Sequence, residues 1–118
     1  MPTYSKQLLS ASTNGKQILV SATGSGSAVT LHTAVAGTTN LDEIYLYAYN
    51  DYVSGVQLNV SWGGTGEPSD IMRVTIPSKI GRTLIVDGKL LQNSLAVKAY
   101  ASIANVVIID GFVNNIQT

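Results

Sequence analysis

The chain predicts an all-β fold, an antiparallel β-sandwich or jelly roll of about eight strands, and three observations carry that expectation. Short apolar stretches recur every ~8–12 residues with turn-forming residues between them. Residues 41–62 alternate in side-chain character with a period of two, as a pleated strand requires. No stretch sustains a helical period: Lys89 to Tyr100 comes closest, but Asn93 and Ser94 interrupt it and its flanks are β-branched. The 118 residues are enough for one domain with a real core and too few for two.

The first fifteen residues are polar apart from Leu8 and Leu9 and end at Asn14-Gly15, a tight-turn signal, so residues 1–15 are expected to form an extended N-terminal arm ahead of a single sandwich domain spanning 16–118. Lys16 to Ala22 is the first expected strand, and the glycines of Thr23-Gly24-Ser25-Gly26-Ser27 make a loop. Ala28 to Thr33 is the second. After a turn at Gly37 to Asn40, Leu41 to Tyr49 places Ile44, Leu46 and Ala48 on one face and Tyr45, Tyr47 and Tyr49 on the other. Val56 to Trp62 then puts Val56, Leu58, Val60 and Trp62 inward, leaving Gln57, Asn59 and Ser61 for a solvated face. Residues 63–70 form the longest loop. Ile71 to Ile76 alternates and stops at Pro77, which cannot donate to a ladder. Asp87-Gly88, between Arg82-Val86 and Lys89-Leu91, is a two-residue hairpin signal. Leu95 to Ala101 and Asn105 to Val113 complete the series.

Charged residues make up 12% of the chain, about half the usual share, and the seven basic and seven acidic side chains are scattered singly. With no basic cluster to follow a phosphate backbone, nucleic acid is not an expected partner. The longest aliphatic run, Val106 to Ile109, is far short of the ~20 residues of a spanning helix, so no membrane insertion is expected. Met1 to Lys6 shows no basic segment followed by an apolar one, and synthesis in a cytoplasm without a signal peptide is expected. The chain has no cysteine, which removes disulfides and thiolate metal sites.

Candidate chemistry is sparse. Gly24-Ser25-Gly26 lacks the Gly-Lys-Ser/Thr and the helix of a phosphate loop. His32, the only histidine, is expected to be a hydrogen-bonded structural residue. It would have to serve as base for any serine nucleophile, and Ser61 is not on a nucleophile elbow because no helix follows it. Asp42, Glu43, Asp51, Glu67, Asp70 and Asp110 offer carboxylate pairs for glycoside cleavage or oxygen ligands for calcium, but no calcium-loop spacing occurs and solvated strand ends and turns explain most of them. No catalytic residue, metal ligand or cofactor is therefore assigned. Tyr45, Tyr47 and Tyr49, with Tyr52 and Trp62, suit either a flat platform for sugars or a protein contact, and the protein contact is preferred. Tyr4, Leu8 and Leu9 in the arm and Tyr45, Tyr47, Tyr49 and Trp62 in the sheets are the expected interface anchors.

Lys6-Gln7-Leu8-Leu9-Ser10, Leu31-His32-Thr33-Ala34, Leu41 to Ala48, Ser61-Trp62-Gly63-Gly64, Leu91 to Leu95 and Gly111-Phe112-Val113-Asn114 together resemble a family of small virion structural proteins of tailed bacteriophages. The resemblance implies a capsid decoration, or cement, protein on the outside of the shell, with the major capsid protein as partner and self-association as a homotrimer. Head-fibre, neck or tail parts of the virion, or a carbohydrate-binding module, are the alternative roles.

Overall fold

The computed structural model describes residues 2–118; Met1 of the expected arm lies outside them. Nine strands form: β1 (Thr3–Leu8), β2 (Ile18–Val20), β3 (Val29–Thr33), β4 (Leu41–Asn50), β5 (Val56–Trp62), β6 (Ile71–Ile76), β7 (Thr83–Leu91), β8 (Ala96–Ala101) and β9 (Val107–Gln117). They make two antiparallel sheets, one of order β1-β9-β4-β7 with β2 also on β9, the other of order β3-β8-β5-β6. The pairing is nested: β5 pairs β6, β4 pairs β7, β3 pairs β8 and β2 pairs β9, as though one long hairpin closing between β5 and β6 had been wound into a sandwich. That winding is a jelly roll.

Inward-facing apolar residues hold the sheets together. Ile44, Leu46 and Ala48 of β4 and Ile109 and Val113 of β9 meet Leu31, Leu58, Val60, Val97 and Ala99 from the opposite sheet, all essentially inaccessible. Each fully buried large side chain contributes about 1.5–3 kcal/mol. On β4 the alternation is complete: every even-numbered residue from Asp42 to Asn50 is buried and every odd one is partly exposed. Its two ends are polar. Asn50 Nδ2 donates to the carbonyls of Ser54 and Ile76 (2.9 Å each) while its Oδ1 accepts from the Tyr52 N–H (2.9 Å), tying β4 to β6 across the core.

Three sequence expectations are corrected. Thr3–Leu8 of the expected arm is an edge strand paired with β9 from Thr3↔Gln117 to Leu8↔Phe112; its six side chains are all exposed, so main-chain hydrogen bonds alone define it. Asp87-Gly88 is not a hairpin turn, because both flanks pair with β4 rather than with each other. Gly88, at φ +74°, sits where the register slips between Ile44↔Lys89 and Tyr45↔Asp87, so it is a bulge, and a Cβ there would lie 3.0 Å from the Tyr45 hydroxyl. The outer face of β5 is solvated at Gln57 only: Asn59 and Ser61 are buried and donate to the carbonyls of Tyr100 and Lys98. The 63–70 loop returns beside β5, the Trp62 N–H donating to the Asp70 carbonyl (2.7 Å), and its Glu67 carboxylate accepts from Arg73 (2.7 Å) and the Tyr100 hydroxyl (3.2 Å).

Gly111 of β9 is the tightest point of the fold, since a Cβ there would collide with the Tyr45 carbonyl oxygen on β4. Gly111→Ala is expected to cost at least about 2 kcal/mol in urea unfolding. Gly26→Ala, where added atoms meet open space, is expected to stay within about 0.5 kcal/mol of wild type.

Candidate functional site

Two places on the molecule gather chemistry, and the first lies inside. Asp42 and Asn115 are cross-strand neighbours on β4 and β9, and His32 of β3 faces them from the other sheet. His32 reaches them because the β3–β8 register slips between Thr30 and His32, which leaves both Leu31 and His32 buried. The His32 Nδ1 accepts from the Ser10 N–H (2.9 Å), so the ring proton is on Nε2 and is donated to Asp42 Oδ2 (2.7 Å). Asp42 Oδ2 also accepts from the Val35 N–H (3.1 Å), and Oδ1 accepts from Asn115 Nδ2 (2.7 Å). Asp42 is thus a buried carboxylate with three donors, not a solvated strand end.

The constellation contains serine, histidine and aspartate but is wired differently from a hydrolytic triad. There, the second ring nitrogen faces the serine hydroxyl and takes its proton. Here that nitrogen is occupied by the Ser10 main chain, and the Ser10 hydroxyl accepts from the Thr33 N–H (2.8 Å). His32 is hydrogen-bonded at both nitrogens, as expected of a structural histidine.

The second place is the outer face of the five-stranded sheet. Cross-strand register lines up Tyr49, Ile108 and Leu19; then Leu84, Tyr47 and Asp110; then Tyr45, Phe112 and Leu8; then Leu90, Glu43, Asn114 and Lys6; and finally Leu41, Ile116 and Tyr4. Five of the seven expected anchors, Tyr4, Leu8, Tyr45, Tyr47 and Tyr49, share this face. The other two do not. Leu9 is 2% exposed inside the core, and Trp62 is half-buried against the core with Lys89 Nζ 5.5 Å from its ring centre. Phe112, Leu84, Leu90 and Leu19 belong to the face but are absent from the expected anchors, although alternation through Ile108, Asp110, Phe112, Asn114 and Ile116 is legible in the sequence.

The tyrosines do not lie flat for a sugar. Tyr45 stacks on Phe112 (centroids 4.7 Å, planes 15° apart) and has Gly88 on its other flank, while Lys6 Nζ lies 4.5 Å from the Phe112 ring centre. The Arg82 guanidinium sits 3.6 Å over the Tyr47 ring and is held there by Asp110 (2.9 Å). The ring of Tyr45 and one face of Tyr47 are therefore already taken. Charge on the face is largely spent locally, through Arg82 with Asp110, Lys6 over Phe112, and Asn114 donating to Glu43 (3.3 Å). The Glu43 carboxylate, by hydrogen bonding, raises the Tyr45 phenol above its ordinary value, and desolvation followed by Asp51 does the same for Tyr49. Both hydroxyls stay neutral donors.

No protein-family model matches the chain, and neither does any curated protein sequence.

Asp42→Asn removes the negative charge shared by three donors and sets an amide N–H against one of them, so it is expected to destabilise by about 2–4 kcal/mol in urea unfolding, against about 1 kcal/mol or less for Ser10→Ala. Glu43→Gln is expected to lower the ionisation midpoint of Tyr45 toward that of free tyrosine, followed by ultraviolet absorbance across the alkaline range.

Proposed function

We propose that this protein is a non-enzymatic capsid decoration, or cement, protein of a tailed bacteriophage, located on the virion surface, binding the outside of the major capsid protein shell as a homotrimer and stabilising it by multivalent contact. The observation that carries this reading is the outer face of the five-stranded sheet. Leu8, Leu19, Leu84 and Leu90 are each about half exposed there, and Tyr4 is 63% exposed, among tyrosines that remain neutral. Exposed apolar side chains gathered on one face in this way mark an interaction site.

Its size is adequate. Four strand positions about 4.8 Å apart, over the ten residues of β4, give roughly 600 Å², close to the ~800 Å² per partner of a standard protein interface. Its chemistry suits protein rather than nucleic acid or lipid headgroups, because exposed leucines and hydroxyls supply apolar drive and local hydrogen bonds, and the few charges on it are of both signs: Lys6, Glu43, Asp87 and the paired Arg82 and Asp110. Repetition around a shell multiplies modest single contacts into firm attachment. The jelly-roll winding is shared with viral capsid domains, which supports the reading by fold analogy alone, and the resemblance to virion structural proteins points the same way.

The test is sedimentation of purified chain with shells of the corresponding major capsid protein that lack it. Wild type is expected to travel with the shells, and Leu84→Glu and Leu90→Glu, at exposed positions that spare the core, are expected to lose at least tenfold in affinity, about 1.4 kcal/mol. Undiminished binding by both variants would contradict the assignment of this face.

A further inference from the structure

The inner side of the five-stranded sheet is uncovered at one end. β4, β7 and β9 run ten, nine and eleven residues, whereas the strands of the opposite sheet run five to seven, and the overhang leaves a cavity of about 430 Å³ above Asp42 and Asn115. It lies on the opposite side of the sheet from the tyrosines. Around its rim are Gln7, Ser10, Thr33 and Gln117, with Leu8 and Val35 as apolar walls.

From this geometry we infer that the cavity is a binding site for a neutral saccharide, sharing Leu8 at its edge with the capsid-facing surface. The floor carries the argument. Asn115 is 4% exposed and gives one amide hydrogen bond to Asp42, yet among the described residues no group donates to its Oδ1. Because every fully buried side-chain polar atom here is paired, that oxygen opens into the cavity. A nearly buried carboxamide with a spare acceptor and a spare N–H, ringed by two further amides and two hydroxyls, matches the paired donor and acceptor of adjacent sugar hydroxyls.

Other ligand classes fit less well. No cationic side chain lines the cavity to hold an anion, and the Asp42 charge beneath it is taken up by three internal donors. A bare cation finds no cluster of three or more acidic, histidine or cysteine ligands among the described residues. An extended peptide would need a free strand edge. The β3 edge is capped by residues 10 and 11, with the Ala11 N–H on the Leu31 carbonyl (3.3 Å) and the Thr33 N–H on the Ser10 hydroxyl (2.8 Å), so the one strand edge beside the cavity left for a peptide is the outer edge of β1, which pairs with β9 on its other side. What the site offers is side-chain amides and hydroxyls, the recognition chemistry of a polyol.

The test is saturation-transfer NMR and calorimetry on the full chain with glucose, galactose, mannose, N-acetylglucosamine and their β-linked dimers. At least one is expected to bind with Kd of about 1 mM or tighter. The double variant Gln7→Ala/Gln117→Ala, at exposed positions that leave the core intact, is expected to weaken it at least tenfold, and Asn115→Ser, confirmed folded by circular dichroism, to abolish it. Absence of binding by every sugar at about 10 mM, undiminished binding by the double variant, or occupation of the cavity by a peptide instead would overturn the assignment.

Discussion

A carboxylate placed between two sheets must collect donors from its surroundings or lose several kcal/mol, and Asp42 collects them from three different parts of the chain. His32 comes from the opposite sheet, Val35 from the turn after β3, and Asn115 from the neighbouring strand. Through His32 Nδ1 the network extends to the Ser10 main chain, which anchors the chain just after β1 ends its run along β9 at Leu8. With Asn50 at the other end of β4, it sets the register in which the sheets face each other. An apolar core specifies that the sheets pack; these polar ends specify how, because a shift of one residue would leave donors and acceptors unpaired in the dry interior.

This arrangement also divides the molecule by role. The side chains most able to do chemistry are committed to holding the fold, with the histidine bonded at both nitrogens. The outward surface of the same sheet, by contrast, is built largely from rings and leucines. Two of its cations lie on ring faces, Arg82 over Tyr47 and Lys6 over Phe112, and Arg82 is also paired with Asp110. Such a surface sheds water at low desolvation cost, which is what repeated attachment to a protein lattice demands.

Much of the fold was legible in the sequence where burial is strictly one-sided. The limits of β5 and β6 and the two faces of β4 follow from alternation alone. β1 was not legible because its six side chains are all exposed, so it has no period to detect, and only main-chain pairing with β9 makes it a strand. Asp87-Gly88 carries the same local signal for a turn as for a bulge; the partner strand decides, and here both flanks pair with β4. Asn59 and Ser61 looked solvated because the β8 carbonyls they bond, of Tyr100 and Lys98, lie 41 and 37 residues away in sequence. The polar network was the least legible of all, since Asp42 lies 10 residues from His32 and 73 from Asn115, and only register brings them together. The tyrosine face was readable as a face, but Phe112 as the stacking partner of Tyr45 required the β4–β9 pairing.

The proposal that the outer face of the five-stranded sheet is the surface this protein uses is tested most directly by a side-chain-resolution reconstruction of the proposed phage particle. It predicts the chain on the outside of the shell with Leu84, Leu90, Tyr47 and their neighbours covered by another protein subunit. A particle in which that face is open to solvent around its whole perimeter, or in which the shell carries no copy of the chain, would contradict it.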